Sequence, residues 1–294
     1  MKHLATFLSV AALCAWLNGI TSLHAAEVRD WTNNAGVTIR AEALSFTEDS
    51  VVLKLENGRE YTVALNTLSD ADVEYANKTR EEMAAIANAP ELKTEPIMAT
   101  PGKILYSSPL TQIDSDWRTA VGSWSASEAG VSGTEVAADD HAAVMKRAMP
   151  LKDVIIEFDV LLGSGKSASF GLDDAKDHVC RVTITPTSFQ AKKDDNDHEG
   201  PDVGKPFNSI QEELETDEWH TVRMEILGET LLAQTGDHIS LGSDPLLATE
   251  KAKWGFIVSG ETIGFRDLNI WEALPSEDGE KEVARLKRRL DIED

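Results

Sequence analysis

Downstream of residue 102, apolar and polar positions alternate with period two along most of the chain, and that rhythm predicts strands. In Trp219-His220-Thr221-Val222-Arg223-Met224-Glu225-Ile226, the residues Val222, Met224 and Ile226 face one way and Thr221, Arg223 and Glu225 the other. Gly228-Glu229, Gly236-Asp237 and Gly260-Glu261 punctuate the segments Leu231 to Ala233, His238 to Leu241, Trp254 to Val258 and Ile263 to Trp271. Short alternating runs joined at glycine turns are the mark of antiparallel hairpins packed as a sandwich. Val154 to Leu162 sets Val154, Ile156, Phe158, Val160 and Leu162 on one face; Ala168, Phe170 and Leu172 continue it, as do Val179 to Ile184 and Thr187 to Ala191. With Lys103 to Tyr106 and the stretch from Trp117 to Gly133, about a dozen strands between residues 103 and 273 fit a jelly roll of two curved sheets.

A smaller unit precedes it, over residues 27–77. Val37 to Leu44, Ser50 to Leu55 and Glu60 to Leu65 alternate, and Asn57-Gly58 between the last two predicts a tight hairpin because both positions tolerate positive φ. Ser69 followed three residues later by Asp72 sets a capping box. From Asp70 to Ala89 the pattern turns helical, with Val73, Tyr75, Ala76, Met83, Ile86 and Ala87 among charged residues, until Pro90 ends it. Residues 78–102 thus predict a helix and then a semi-stiff linker between Pro90 and Pro101, with the domain boundary there. In the tail, residues 274–294, Val283, Leu286 and Leu290 recur at helical spacing.

The first residues bear on compartment. Lys2 and His3, an apolar run from Leu4 to Leu17 and small residues at Ala25-Ala26 make the three parts of a secretory signal peptide over residues 1–26. That run is too short to span a bilayer, and no other approaches the ~20 residues required. The expectation is an exported protein of the periplasm, cell surface or medium, not an integral membrane protein. Cys14 leaves with the signal, so Cys180 stands alone; it alternates onto the face of Val182 and Ile184, which predicts a buried, inert thiol. Against 51 acidic residues stand 28 basic ones, for a formal charge of -23. Such a balance repels phosphate backbones and anionic lipid, and argues against nucleic-acid and membrane-surface roles.

Several side chains are candidates for chemistry. Glu157 and Asp159 project from one face of a strand, about 7 Å apart by strand geometry. That suits the paired carboxylates of glycoside hydrolysis, and equally two solvated charges on an outward sheet face. Asp173, Asp174, His178 and Arg181 share one hairpin, where they would line a concave sheet as a ligand site or form a wet rim, with His178 the catalytic candidate among them. Asp195, Asp197 and Glu199 with Gly200 fall at positions 1, 3, 5 and 6 of a calcium loop, although Pro206 stands where its bidentate glutamate belongs. Calcium is the one cofactor with a signal, and an exposed acidic loop is the competing reading. The histidines His141, His178, His198, His220 and His238 lack metal-ligand spacing, and no phosphate loop or nucleophile elbow is present. Trp117, Trp124, Trp219, Trp254 and Trp271 offer flat faces for sugar rings or, in a sandwich of this size, core.

Two resemblances follow. The order Arg29-x-Trp31-Thr32, Gly36, Ala41-Glu42, Val51-x-Leu53, Gly58-Arg59-x-Tyr61-x-Val63-x-Leu65, Leu68-Ser69-x-x-Asp72 and Tyr75 resembles the SLA1 homology domain 1. The resemblance implies an SH3-like β-barrel and a peptide groove using Trp31 and Tyr61, unless both are simply core and rim. Residues 103–273 are similar to the concanavalin A-like sandwiches, and within them to the 3-keto-disaccharide hydrolase family, through Trp117 to Trp124, Val154 to Asp159, Glu218 to Arg223, Gly255 to Ile257 and Phe265 to Ile270. Enzymatic members resemble one another in an Asn-Ser-Gly segment and a late Asn-Gly turn, where this chain has Gly163-Ser164-Gly165-Lys166 and Thr235-Gly236-Asp237. The resulting expectation is a mainly β chain, an SH3-like barrel joined by helix and linker to a jelly roll, acting as an exported binder of a glycan or of an extracytoplasmic protein or peptide. The alternative is a hydrolase or lyase of 3-keto-disaccharides.

Overall fold

The computed structural model describes residues 28–87, 90–197, 199–200 and 203–292, so the signal peptide, Cys14 and His198 lie outside the described residues. Two compact units divide between Glu81 and Glu82.

In the first unit, β1 (Arg29–Thr32), β2 (Thr38–Phe46), β3 (Ser50–Leu55) and β4 (Glu60–Ala64) pair antiparallel in sequence order. The Asn57-Gly58 hairpin forms where alternation breaks, with Gly58 at φ 77°. Trp31, Val51, Leu53, Leu65, Leu68 and Ala76 build a small core. After β4 the chain returns beside β1 by one bridge, Asn33 with Leu68, where a closed SH3-like barrel would place a further strand. Helix α1 (Asp70–Ala87) starts at the expected box: Ser69 Oγ donates to Asp72 Oδ2 at 2.8 Å. Asp72 also accepts Arg29 at 2.7 Å and the Thr32 amide at 2.8 Å, which fastens α1 to β1. Trp31 does not line a groove. It is 1% exposed, donates to the Ala41 carbonyl and meets Tyr75 edge-on, while Tyr61 stands exposed.

The second unit runs through β5 (Ala99–Ser108), β6 (Trp117–Val121), β7 (Ser123–Ser127), β8 (Gly130–Thr134) and β9 (Ala143–Leu151). Next come β10 (Val154–Leu161), β11 (Gly165–Asp173), β12 (His178–Thr185), β13 (Ser188–Lys193) and β14 (Lys205–Gln211). After them follow β15 (Trp219–Leu227), β16 (Thr230–Thr235), β17 (His238–Ser243), β18 (Lys251–Gly260), β19 (Ile263–Pro275) and α2 (Gly279–Arg289). A front sheet of seven strands has the order β14-β13-β12-β11-β18-β9-β6. A back sheet of eight has the order β17-β16-β15-β10-β19-β8-β7, with β5 also paired to β19. Every pairing is antiparallel, and the inward residues of both sheets form one core that includes Ile156, Phe158, Met224, Phe170, Phe256 and Trp254. Phe256 and Phe265 stack across it with centroids 4.2 Å apart. This is the expected sandwich of alternating strands.

The outward face of the back sheet is covered as well. Residues 92–99 lie across it as a strap, so the segment expected to be a linker is part of the second unit and runs directly into β5. Helix α2 buries Leu286 against Met98, Leu232, Ile239 and Leu241, as its spacing predicted. Cys180 is buried in the core, and burial pushes its thiol up to about 12, which makes it inert. Among the described residues no helix is long and apolar enough to cross a membrane.

Candidate functional site

The carboxylates singled out on β10 lie under the strap. Glu157 is 1% and Asp159 3% exposed, so they are neither the solvated pair nor the open acid/base pair that alternation suggests. Glu157 accepts the Lys93 amide at 2.8 Å, the Thr94 amide at 3.1 Å and the Thr94 hydroxyl at 2.8 Å. Asp159 accepts Lys93 Nζ at 2.7 Å, the Thr221 hydroxyl at 2.8 Å and Arg266 Nε at 3.0 Å. The β10–β19 ladder shifts register between Glu157 and Asp159, and Asp267 in that irregularity holds φ 54° and receives Lys93 Nζ at 2.8 Å. These groups fasten the strap and leave no carboxylate oxygen for a substrate.

That fastening should depend on pH. Burial alone would push the Asp159 carboxyl up, but hydrogen bonds from Lys93, Thr221 and Arg266 outweigh it and hold it below the usual 3.8. Burial likewise pulls Lys93 down, while Asp159 and Asp267 leave it raised above 10.5. A lowered carboxyl contributes stability above its unfolded value and loses it as pH falls through the folded value; a raised ammonium loses its share as pH rises through its own. The strap contact at Asp159 is therefore expected to persist at neutral pH, to be lost in acid as the carboxyl protonates, and to weaken above 10.5 as Lys93 deprotonates. An NMR titration of the Asp159 carboxyl should show a midpoint below 3.8, and a higher midpoint would contradict this arrangement.

The front sheet turns a different face to solvent. Positions directly opposite on neighbouring antiparallel strands share a face. Arg118 on β6 lies opposite Lys146 on β9, Lys146 opposite Gly255 on β18, and Gly255 opposite Gly171 on β11. Gly171 in turn faces Arg181 on β12, and Arg181 faces Lys192 on β13. One row across the sheet therefore reads Arg, Lys, Gly, Gly, Arg, Lys. The two glycines keep its middle free of side chains, a common reason for glycine inside a strand. Beside the row, the β11–β12 ladder shifts register between Leu172 and Asp173, which brings Asp173 opposite His178, while the β11–β18 ladder, regular there, sets it opposite Lys253.

A cleft of about 540 Å³ opens here, lined by Arg118, His141, Lys146, Asp173, His178, Arg181 and Lys253 with Val144 and Ile257. Asp173 is 4% exposed, bonds Lys146 Nζ and takes His178 Nδ1 at 2.8 Å. Burial would raise its carboxyl, but the bonds from His178 and Lys146 hold it below the ordinary range, so it sits there as the anion. An anionic acceptor at Nδ1 favours the proton on that nitrogen and turns Nε2 toward Asp177, 3.5 Å away. On the far flank Asp194 receives Arg181 Nε at 2.8 Å and Lys192 Nζ at 2.8 Å. The arrangement can hydrogen-bond a hydroxylated ligand, attract negative charge and offer one oriented imidazole.

Of the residues singled out in the sequence, Asp173, His178 and Arg181 meet in this cleft. Asp174 instead accepts the Lys176 and Asp177 amides and Asn196, which spends it on the hairpin turn. Among the described residues no three His, Cys, Asp or Glu side chains converge as a metal site, Asp195, Asp197 and Glu199 included. Trp117, Trp254 and Trp271 are core; Trp124 is half-buried against Phe265, and Trp219 lies under the Arg266 guanidinium at 4.2 Å. Sequence reasoning missed Arg118, His141, Lys146, Lys192 and Lys253 as site residues. Period-two alternation of Ala143 and Met145 against Val144 and Lys146 was the available signal for β9.

No family model and no curated protein matches the chain. Among solved structures it is similar to the carbohydrate binding module CBM66 from Bacillus subtilis, with a TM-score of 0.45 and 14% identity over 53% of this chain and 96% of that one. It is similar also to a Bacillus subtilis protein of unknown function with a galectin-like fold, with a TM-score of 0.47 and 14% identity over 61% of this chain and 100% of that one. A Bacillus licheniformis beta-glucanase matches with a TM-score of 0.45 and 8% identity over 57% of this chain and 97% of that one.

Proposed function

We propose that the protein is an exported binding protein whose sandwich holds a carbohydrate in the front-sheet cleft. The observation that carries this reading is the cleft itself: polar side chains from five strands converge beside the apolar Val144 and Ile257, with the glycine pair of the row between Lys146 and Arg181. A sugar presents that same mixture, with hydroxyls at the ring edge and C–H groups on its faces. In this reading residues 1–26 direct export, and the first unit, resembling SLA1 homology domain 1, takes a peptide beside Tyr61.

The chain lacking residues 1–26 is expected to bind members of a glycan array, and H178A with R181A to cost tenfold or more, about 1.4 kcal/mol. An array without a ligand, or binding indifferent to both substitutions, would overturn the reading. One observation favours the enzymatic alternative: the Asp173 to His178 hydrogen bond orients an imidazole as a general base would be oriented. Sugar release from 3-keto-disaccharides, abolished in H178A, would replace binding by catalysis at the same cleft.

A further inference from the structure

We infer that the carbohydrate is an acidic one, and that the front-sheet row is built to receive a carboxylate or sulfate group carried on a sugar. This rests on the glycan reading above and narrows it to a substrate class. Arg118 and Lys146 stand on one side of the glycine pair, Arg181 and Lys192 on the other, and Lys253 lies two residues before Gly255 on β18. Asp173 and Asp194 are the carboxylates bonded to these cations, one on each flank. Five permanent cations thus share two carboxylates, and His141 and His178 can only add to the positive side.

The next acidic groups, Asp174 and Asp177, belong to the hairpin turn, where their oxygens accept backbone amides, and Asp177 also stands 3.5 Å from His178 Nε2, opposing that imidazole alone. In a chain whose formal charge is -23, a local surplus of this sign runs against the overall balance. It also sits in a concave place, where low-dielectric walls strengthen the field on an incoming ligand. Arg118 and Lys253 are exposed and make no ion pair among the described residues, so their charges are available. Asp173 and Asp194 have another task, since each holds two donors and so fixes Lys146, His178, Arg181 and Lys192 in place. A planar guanidinium and a mobile ammonium at the cleft edge suit a carboxylate or sulfate. Beside Gly171, the hydroxyls of Ser169 and Thr183 bond each other at 2.8 Å on the same outward face.

The test is titration calorimetry of the mature chain with three oligosaccharides: an oligouronate, its neutral methyl ester and a sulfated galactan fragment. The acid or the sulfate is expected to bind at least tenfold tighter than the ester, with an affinity that falls as salt rises. R118Q and K253Q, at exposed positions, should each weaken the charged ligand several-fold more than the ester and flatten its salt dependence. G171A, whose methyl would press on Ile257 of the lining, should weaken all three. The ester bound as tightly as the acid would overturn the charge preference while the glycan reading stands. Failure of every saccharide would overturn both, and a polyglutamate peptide bound as tightly as the oligouronate would replace the sugar by a peptide.

Discussion

Replacing Glu225 by alanine is expected to lower the unfolding free energy of the sandwich by about 3–5 kcal/mol. The residue is fully buried on the outward face of β15, where strand alternation alone would leave it in water. Its carboxylate accepts the amides of Ile97 at 2.9 Å, Met98 at 2.7 Å and Ala99 at 2.9 Å, and Arg223 Nε at 3.1 Å. Three successive backbone donors of the strap thus converge on one side chain, and alanine leaves them unpaired under Leu286 and the rest of the α2 contact. Arg223, also fully buried, would lose its hydrogen-bonded counter-charge while keeping Thr94 Oγ1 at 2.8 Å and Gln234 Oε1 at 2.7 Å. Burial already pulls its guanidinium below the usual range, so a charge left with only Glu157 opposite it is costly. E225Q keeps the volume and one acceptor and should lose less. Urea unfolding gives the free energies, and hydrogen exchange at Ile97, Met98 and Ala99 locates the damage. A loss under about 1 kcal/mol with unchanged exchange would mean that the strap is held by its apolar contacts instead.

The same strap marks the limit of what the sequence discloses. Inward faces were legible because alternation encodes them: Val154, Ile156, Phe158 and Val160 are buried as the pattern required, and Cys180 with Val182. Local chemistry was legible too, in the Asn57-Gly58 turn, the Ser69 to Asp72 box and the amphipathic tail. Glu157, Asp159, Arg223 and Glu225 were not, since a polar outward face reads alike whether water or a strap covers it. Their partners Lys93 to Ala99 lie far away in sequence, and no local period connects them. The cleft was half legible for the same reason. Asp173, His178 and Arg181 share a hairpin, whereas Arg118, Lys146 and Lys253 reach the site only through the order β11-β18-β9-β6, which no single segment specifies. β9 carried the alternating signal in Ala143 to Lys146, whereas β14, at the sheet edge, buries no face and so carries none.

Strand order is what the second large effect examines. Gly255→Ala is expected to destabilise the sandwich by about 3 kcal/mol or more, at the upper end of what inserting a methyl costs. A Cβ there would overlap the carbonyl oxygen of Met145 and sit 2.8 Å from Lys146 Cα. Both are backbone atoms of the neighbouring strand, so no rotamer change relieves the overlap and β9 must move away from β18. That shift would carry Lys146 out of the cationic row and Met145 out of the core, so stability and ligand affinity should fall together. Gly171, its partner across the ladder, is the control: a Cβ there would come 3.3 Å from Ile257 Cδ1, the end of a side chain that can turn aside. Gly171→Ala should therefore cost less than about 1 kcal/mol, with a gain from the stiffer unfolded chain offsetting part of it. The two substitutions are chemically identical and lie opposite each other, so calorimetric unfolding should separate them by several degrees. Equal stability for both would mean that β9 does not lie against β18 in this register, and the cationic row assembled through Lys146 would no longer exist.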